Sequence, residues 1–277
     1  MSEGPIENLG ARLRELRRRA GLTGVQFGER VGMSQSKVSK IETGRRLPTD
    51  EGLERIGQAL SLSRTERARL RDQVRRLRAT FVPIQDAGAA TYVRTQREVG
   101  RLEREAQLLR DFVATIVPGL LQTADYARAL FASFSDVDPA PAVAARLERQ
   151  TILFEPGRRF VFLVPELALL ARYLGPAGMA AQLDRLLQVA SLPTVELHVV
   201  PRHAILPTPP MAGFSIYDDA LVAEETNTGQ VMIRDPSRVG EYVDLFQRFL
   251  EVAPAEAAPQ IIRGLLAELQ AERVGDA

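Results

Sequence analysis

The sequence of 277 residues has no cysteine, two histidines and two lysines. Without cysteine there is no disulfide framework, no thiolate metal site and no cysteine nucleophile. The histidines, His198 and His203, stand five apart, one in a strand-like segment and the other beside a loop rich in proline (Pro201, Pro207, Pro209, Pro210). They do not form the i, i+4 pair of a helical zinc site. Long apolar runs are missing too, since stretches such as Phe160 to Pro165 fall far short of the ~20 residues that cross a bilayer. The opening MSEGPIENLG lacks the basic and apolar regions of a secretory leader. G-x-S-x-G, the P-loop and G-x-G-x-x-G are all absent. Asp218-Asp219 and Glu224-Glu225 could be imagined as carboxylate pairs for acid–base work, but a solvated hairpin turn and a strand end suit them better. The expectation is a soluble cytoplasmic protein, not an enzyme, with no catalytic residues, no metal, no cofactor and no membrane contact.

What is present is charge, unevenly placed. The 36 Lys+Arg and 35 Asp+Glu give a formal net charge of +1. Residues 1–80 hold 18 basic and 10 acidic residues, a net +8, while residues 81–277 hold 18 and 25, a net −7. A basic head before an acidic body points to a polyanion partner at the basic end; the alternative is a helical domain with Arg-rich solvated faces. The two lysines, Lys37 and Lys40, both lie in the head, and the other 34 basic residues are Arg.

Leu9, Leu13, Leu16 and Ala20 share one face of a helix from Ile6 to Ala20, which Gly21 stops. Thr23 caps a second helix running to Val31, Gly32 ends it, and Ser34 caps a third, Gln35 to Glu42. Two short helices joined this tightly form a helix-turn-helix, with Gly28 allowing a close crossing and Gly32 the turn. Val25, Phe27, Val31, Val38 and Ile41 are expected underneath. Gln35, Ser36, Lys37, Ser39 and Lys40 then face outward, a set of amides, hydroxyls and ammonium groups suited to base edges in a major groove. The helix N-termini, at Thr23 and Ser34, and Arg45 and Arg46 beyond are placed to hold phosphates.

The stretch AGLTGVQFGERVGMSQSKVSKIETGRRLPTDEGLERIGQAL resembles the phage-repressor-like (XRE/Cro-C1) helix-turn-helix family, with its turn glycine at Gly32, the recognition helix SQSKVSKIE and the following GRRLP. The resemblance implies a five-helix domain, continued by helices at Thr49 to Leu60 and Ser63 to Ala79, that binds double-stranded DNA. It places base contacts on Gln35, Ser36, Ser39 and Lys40, and backbone contacts on Lys37 and the loop arginines. The family usually has Gln at the first turn of the second helix; here Gly24 stands there, so that phosphate clamp does not carry over, and the helix loses about 1 kcal/mol relative to Ala.

The expected organisation is a DNA-binding domain at 1–80, a linker at 81–91 around Pro83 and the small residues Asp86 to Ala90, and an α+β domain at 92–277. In the body, helices are expected at Tyr92 to Arg104, Asp125 to Ser133, Pro141 to Leu153, Glu166 to Tyr173 and Pro176 to Ser191, with two more from Pro236 to about Glu272. Leu108 to Leu121 reads as an extended segment entering a turn at Pro118-Gly119. Strand candidates are Arg159 to Val164, Thr194 to Val200, Gly213 to Tyr217, Leu221 to Glu225 and Gln230 to Arg234. The last three, separated by Asp218-Asp219 and Asn227-Thr228-Gly229, suit an antiparallel meander. The fold class is thus mainly α plus α+β, with a small antiparallel sheet.

Four strings, VPGLLQTADYARALF, RLERQ, LPTVELHVVP and MAGFSIYDDALVAEETNTGQVMIRDPSRVGEYVDLFQRF, resemble the domain of unknown function DUF5753, which accompanies this helix-turn-helix in actinobacterial regulators of the Scr1 antitoxin-like and WhiJ-like types. That resemblance implies a small DUF397-type protein as partner. Three functions follow as expectations: a nucleoid-associated, homodimeric transcriptional regulator, an antitoxin-like protein that neutralises the DUF397-type partner and autoregulates its operon, or a sensor with a small-molecule ligand between sheet and helices.

Overall fold

The helical spacing of Leu9, Leu13 and Leu16 is realised in α1 (Pro5–Arg19), where Leu9 and Leu13 are buried and Leu16 is half-buried. The computed structural model describes residues 5–83, 89–134, 136–226 and 228–275. The chain divides into two units. The first holds the residues up to Val82 with Asp219–Ala223 and Val231–Tyr242, and the second holds Pro83–Asp218, Glu224–Gln230 and Val243–Ala277.

In the first unit α1 is followed by α2 (Gly24–Val31), α3 (Gln35–Glu42), α4 (Asp50–Ala59) and α5 (Arg64–Leu77). Each of α2 to α5 starts on a hydroxyl residue, Thr23, Ser34, Thr49 or Ser63, whose side chain accepts a backbone N–H three residues on. Each such cap stabilises its helix by about 1 kcal/mol. Phe27, Val31, Val38 and Ile41 join Leu9, Leu13, Leu53, Ile56, Leu70 and Val74 in one core. Val25, expected underneath, is instead 56% exposed. It lies two residues before Phe27, about 200° around the helix, and so points away from the face that Phe27, Gly28 and Val31 bury.

The chain does not loosen at residue 80. Strand β1 (Ala79–Pro83) occupies the start of the expected linker, and linker residues 84–88 lie outside the described residues. In the first unit β1 neighbours β7 (Gly229–Ile233), which neighbours β6 (Leu221–Thr226). Of the expected turn between those two, Asn227 lies outside the described residues. Arg78 fixes this corner: its guanidinium donates to both Asp50 oxygens at 2.6 and 3.1 Å and meets Asp235 at 3.0 Å.

The second unit contains α6 (Ala89–Glu105), β2 (Leu108–Phe112), α7 (Ala124–Phe134), α8 (Ala140–Arg149), β3 (Arg159–Pro165), α9 (Glu166–Leu170), α10 (Pro176–Ala190), β4 (Val195–Val200) and β5 (Phe214–Tyr217). The end of α11 (Pro236–Leu250) and all of α12 (Ala258–Gly275) complete it. Its strands run in the order β5-β2-β3-β4. β2, β3 and β4 are mutually parallel and β5 is antiparallel to β2, so the expected antiparallel sheet is a mixed one. The connections decide this: β2 reaches β3 through α7 and α8, and β3 reaches β4 through α9 and α10, the helical crossovers that parallel neighbours need. One face of β2 and β5 carries Arg110 beside an aromatic cluster in which the Phe112 ring lies 5.4 Å from Phe214 and 4.9 Å from Phe249. The alternate residues, Asp111 opposite Ser215 and Leu109 opposite Tyr217, share the other face.

Candidate nucleic-acid interface

A helix that reads DNA must be held rigidly by its neighbours and still present unspent polar groups. The holding begins at α2. The Thr23 hydroxyl accepts from the Gln26 N–H at 3.2 Å and the Gln26 side chain accepts from the Thr23 N–H at 3.0 Å, a reciprocal capping box. Gly32 closes the helix at φ 62°, as its place in the sequence predicts. The Met33 N–H then donates to the Gly28 carbonyl at 2.8 Å, and a Cβ at Gly28 would stand 2.6 Å from the Met33 carbonyl oxygen. Only glycine allows that crossing. The Ser34 hydroxyl accepts from the Lys37 N–H at 3.2 Å and starts α3.

α3 buries Val38, Ile41 and Glu42 and exposes Gln35, Ser36, Ser39 and Lys40, with Lys37 half-buried. Exposed Arg45 and half-buried Arg46 follow, and their N–H groups donate back to the Lys40 carbonyl at 2.8 and 3.1 Å. The arginine loop is thereby folded onto the end of α3. Among the described residues, the side chains of Gln35, Ser36, Lys37, Ser39, Lys40, Arg45 and Arg46 make no hydrogen bond or ion pair. Other cations of this unit are engaged, as in Arg19–Glu15, Arg55–Glu51, Arg71–Glu54 and Arg75–Asp72. Thr23 and Ser34 are exposed with their oxygens used as caps, so what they offer a phosphate is a hydroxyl hydrogen and the first-turn N–H groups around it. Gly24 stands beside Gln35, where a Cβ would lie 4.0 Å from the Gln35 Cγ.

Two features that fix α3 escape the motif. Glu42, its last residue, is buried and takes two hydrogen bonds from Arg17 of α1, Nε to Oε1 at 2.6 Å and Nη2 to Oε2 at 2.9 Å. Arg14 adds a third contact at 3.4 Å, and Arg17 also donates to the Leu22 carbonyl at 2.6 Å. The hydrogen bonds that Arg17 donates to Glu42 push the Arg17 pKa up against the opposing effect of burial. Gly10 lets α1 approach, because a Cβ there would meet the Ile41 and Glu42 carbonyl oxygens at 2.8 and 2.7 Å. A signal did exist in the sequence: Val38, Ile41 and Glu42 follow i, i+3, i+4, so Glu42 falls on the buried face and requires a cationic partner.

Of the residues weighed for metal or acid–base chemistry, His198 and Asp218 are engaged within the fold. His198 is buried in β4, with Nδ1 2.7 Å from the Ala253 carbonyl and Nε2 2.9 Å from Glu196, while His203 is exposed. Asp218 adopts φ 50° and one of its oxygens accepts the Gln107 and Leu108 N–H groups, both at 3.0 Å, so it anchors the start of β2. Glu224 and Glu225 are successive residues of β6 and point to opposite faces. Among the described residues no group of three His, Asp or Glu side chains is spaced to hold a metal ion, and no helix is long and apolar enough to cross a membrane.

A family model described as a helix-turn-helix domain matches residues 8–70. An uncharacterised HTH-type transcriptional regulator, y4dJ, of Sinorhizobium fredii is 41% identical over 58 residues, which cover 21% of this chain and 75% of that protein. Among solved structures, the clp gene regulator ClgR of C. glutamicum has a TM-score of 0.23 and 28% identity, covering 27% of this chain and 95% of its own. The phospholipase D family member Nuc of Salmonella typhimurium has a TM-score of 0.33 and 13% identity, covering 57% and 88%. A second family model, described as a domain of unknown function (DUF5753), matches residues 96–262, more than half of the sequence, and with the helix-turn-helix domain ahead of it the chain belongs to the DUF5753 family.

Proposed function

We propose that this protein is a sequence-specific, DNA-binding transcriptional regulator whose first unit lays α3 in the major groove and whose second unit modulates that binding. The observation that carries the proposal is the exposed, uncommitted face of a rigidly capped helix: Gln35, Ser36, Ser39 and Lys40 hold donors and acceptors with no partner among the described residues. Gln pairs adenine bidentately, Lys donates to guanine and Ser serves either. Thr23, Ser34, Lys37, Arg45 and Arg46 supply phosphate contacts that set register and make affinity fall steeply with salt. A homodimer places two such helices about 34 Å apart on one side of the duplex. With that role the protein resides in the cytoplasm on the nucleoid, and no catalytic step is assigned to it.

Selection of bound fragments, followed by anisotropy titrations on the selected duplex and on random DNA, tests the proposal. Lys40→Ala is expected to cost about 1 to 3 kcal/mol on the selected duplex and much less on random DNA. Equal losses on both would make Lys40 a phosphate contact. A chain that selects no sequence at all would end the proposal.

A second reading, that the second unit captures a small DUF397-type protein and so makes the chain antitoxin-like, is favoured by large apolar side chains left in solvent there. Phe154, Leu167, Ile205 and Met211 are 62%, 63%, 91% and 91% exposed. Exposed apolar surface of this kind suits a protein partner. Co-expression with the product of the adjacent gene should yield a stable complex, and failure to co-purify would leave the regulator without this partner.

A further inference from the structure

The body of the chain is acidic, yet one of its helices turns a basic face to solvent. In α6, Arg94, Arg97, Arg101 and Arg104 follow one another at steps of 3, 4 and 3. At 3.6 residues per turn those steps keep all four within about 80° of arc and spread them over about 15 Å of helix. All four are exposed. The opposite side of α6 is buried against α8: Gln96 accepts from Arg146 at 3.1 Å, Gly100 packs on the Arg149 side chain, and Glu103 meets Arg149 at 3.3 Å. The packing of α6 therefore holds the arginine stripe outward.

A surface arginine in an acidic body ordinarily spends its charge on a neighbouring carboxylate. Elsewhere in the second unit Arg158–Glu155, Arg159–Glu196, Arg172–Glu272 and Arg202–Glu166 do so. In the stripe Arg101 pairs with Glu105 at 2.8 Å. Among the described residues the side chains of Arg94, Arg97 and Arg104 make no hydrogen bond or ion pair, although Glu98 stands four residues after Arg94. More positive charge lies close by. A Cβ at Gly100 would stand 3.1 Å from Arg149 Cγ and 3.3 Å from Arg104 Nη1, so two arginines crowd that position. Burial and the neighbouring Arg149 lower the Arg146 pKa to about 9. Arg158 donates to the carbonyls of Glu103, Arg104 and Ala106 at 3.3, 2.7 and 2.5 Å, which covers the negative end of the helix with a cation.

We propose that the outer face of α6 is a second phosphate-contacting surface, through which the second unit holds the backbone of double-stranded DNA. A guanidinium offers its N–H donors in a planar fork that matches a phosphate bidentately. Length selects among anions. A small anion meets one or two of these side chains, whereas a DNA strand offers a phosphate every 3.4 Å along the axis, about four over the length of the stripe. The charge balance of the chain points the same way. Residues 81–277 carry a net −7, and a body of that charge tethered to a DNA-binding unit is repelled by the duplex unless it turns a basic face to it. Contacts of this kind add affinity and salt dependence without sequence preference. The inference deepens the proposed function and rests on duplex DNA being the partner.

The test measures binding of the 277-residue chain to a selected duplex and to random DNA between about 50 and 200 mM salt. The triple variant Arg94→Gln, Arg97→Gln, Arg104→Gln removes three exposed charges that hold no partner among the described residues, so its Tm should match the parent's. Its slope of log K against log salt is expected to be shallower by about 2 to 3, so that its affinity falls roughly 15- to 60-fold less than the parent's over that range, equally on both duplexes. Preference for the selected duplex should survive. The double variant Arg248→Gln, Arg263→Gln, at two exposed arginines of the same unit that are likewise unpaired among the described residues, controls for net charge and should keep the parent's slope. A triple variant with the parent's slope, or an equal change per charge in the control, overturns the α6 surface and leaves the reading of α3 intact. A parent without sequence preference, whose slope still falls in the triple variant, refutes the reading of α3 and leaves the α6 surface standing. A parent that binds no duplex overturns both.

Discussion

The Arg17–Glu42 pair offers a sharp test of how α3 is held. Glu42→Gln keeps the shape of the side chain and removes its charge. Arg17, with its side chain only 12% exposed, then exchanges two bonds to a carboxylate at 2.6 and 2.9 Å for at most one bond to an uncharged amide oxygen, while keeping the Leu22 carbonyl. Removing one member of a buried pair costs about 3 to 5 kcal/mol, and the bonds retained return roughly 1 to 2. A loss of about 2 to 3 kcal/mol is therefore expected. In a unit of 60 to 100 residues that lowers the Tm by roughly 10 to 20 °C. Calorimetry of the 277-residue chain should show the first unit melting early with the second unmoved. The volume-matched double variant Arg17→Met, Glu42→Leu should recover most of the loss, because the penalty comes from the orphaned charge and not from the absent bond. If Glu42→Gln melts within about 2 °C of the parent, or the double variant is as unstable as the sum of the singles, the pair does not anchor α3.

Two further outcomes follow from the structure. Gly10→Ala should destabilise the first unit by roughly 1 to 3 kcal/mol, since its Cβ meets backbone carbonyls at 2.7 and 2.8 Å that cannot rotate away; a neutral result in urea unfolding would mean that α1 can slide. Burial, opposed by the Ser215 hydroxyl, pushes the Asp111 carboxyl up to about 7, above the ~3.9 of the unfolded chain, so the stability it contributes is complete below pH 4 and lost as pH rises through 7. Asp111→Asn should flatten the stability profile of the second unit between pH 5 and 8 by about 3 kcal/mol; parallel profiles for the two proteins would show that Asp111 is ionised throughout.

Much of the first unit is local and was legible in the sequence. The caps at Thr23, Ser34, Thr49 and Ser63, the αL turn at Gly32 and the bounds of α3 depend on interactions within four residues, and a chain that follows those rules leaves few alternatives. The polarity of α3 belongs here too, because helical phase turns Ser36, Ser39 and Lys40 away from Val38 and Ile41, with Gln35 at the flank of the buried face. Val25 shows the limit even of local reasoning: composition suggested burial, while helical phase relative to Phe27 decided exposure.

The remainder needed contacts between distant residues. Alternation marks a strand without giving its direction, so the parallel pairing of β2, β3 and β4 was settled by helical crossovers. The first unit also takes in Asp219–Ala223 and Val231–Tyr242, held at Arg78 by a charge 157 residues away in sequence, Asp235. Buried Glu103 of α6, Asp111 of β2 and Arg149 of α8 sit on three separate elements, and no spacing rule connects them. The sequence by itself determined where α3 begins and ends and which of its polar side chains reach solvent, since helix periodicity and capping are short-range. Tertiary structure decided what fixes that helix and where buried charge collects, because a buried carboxylate is defined by the partners folding brings to it.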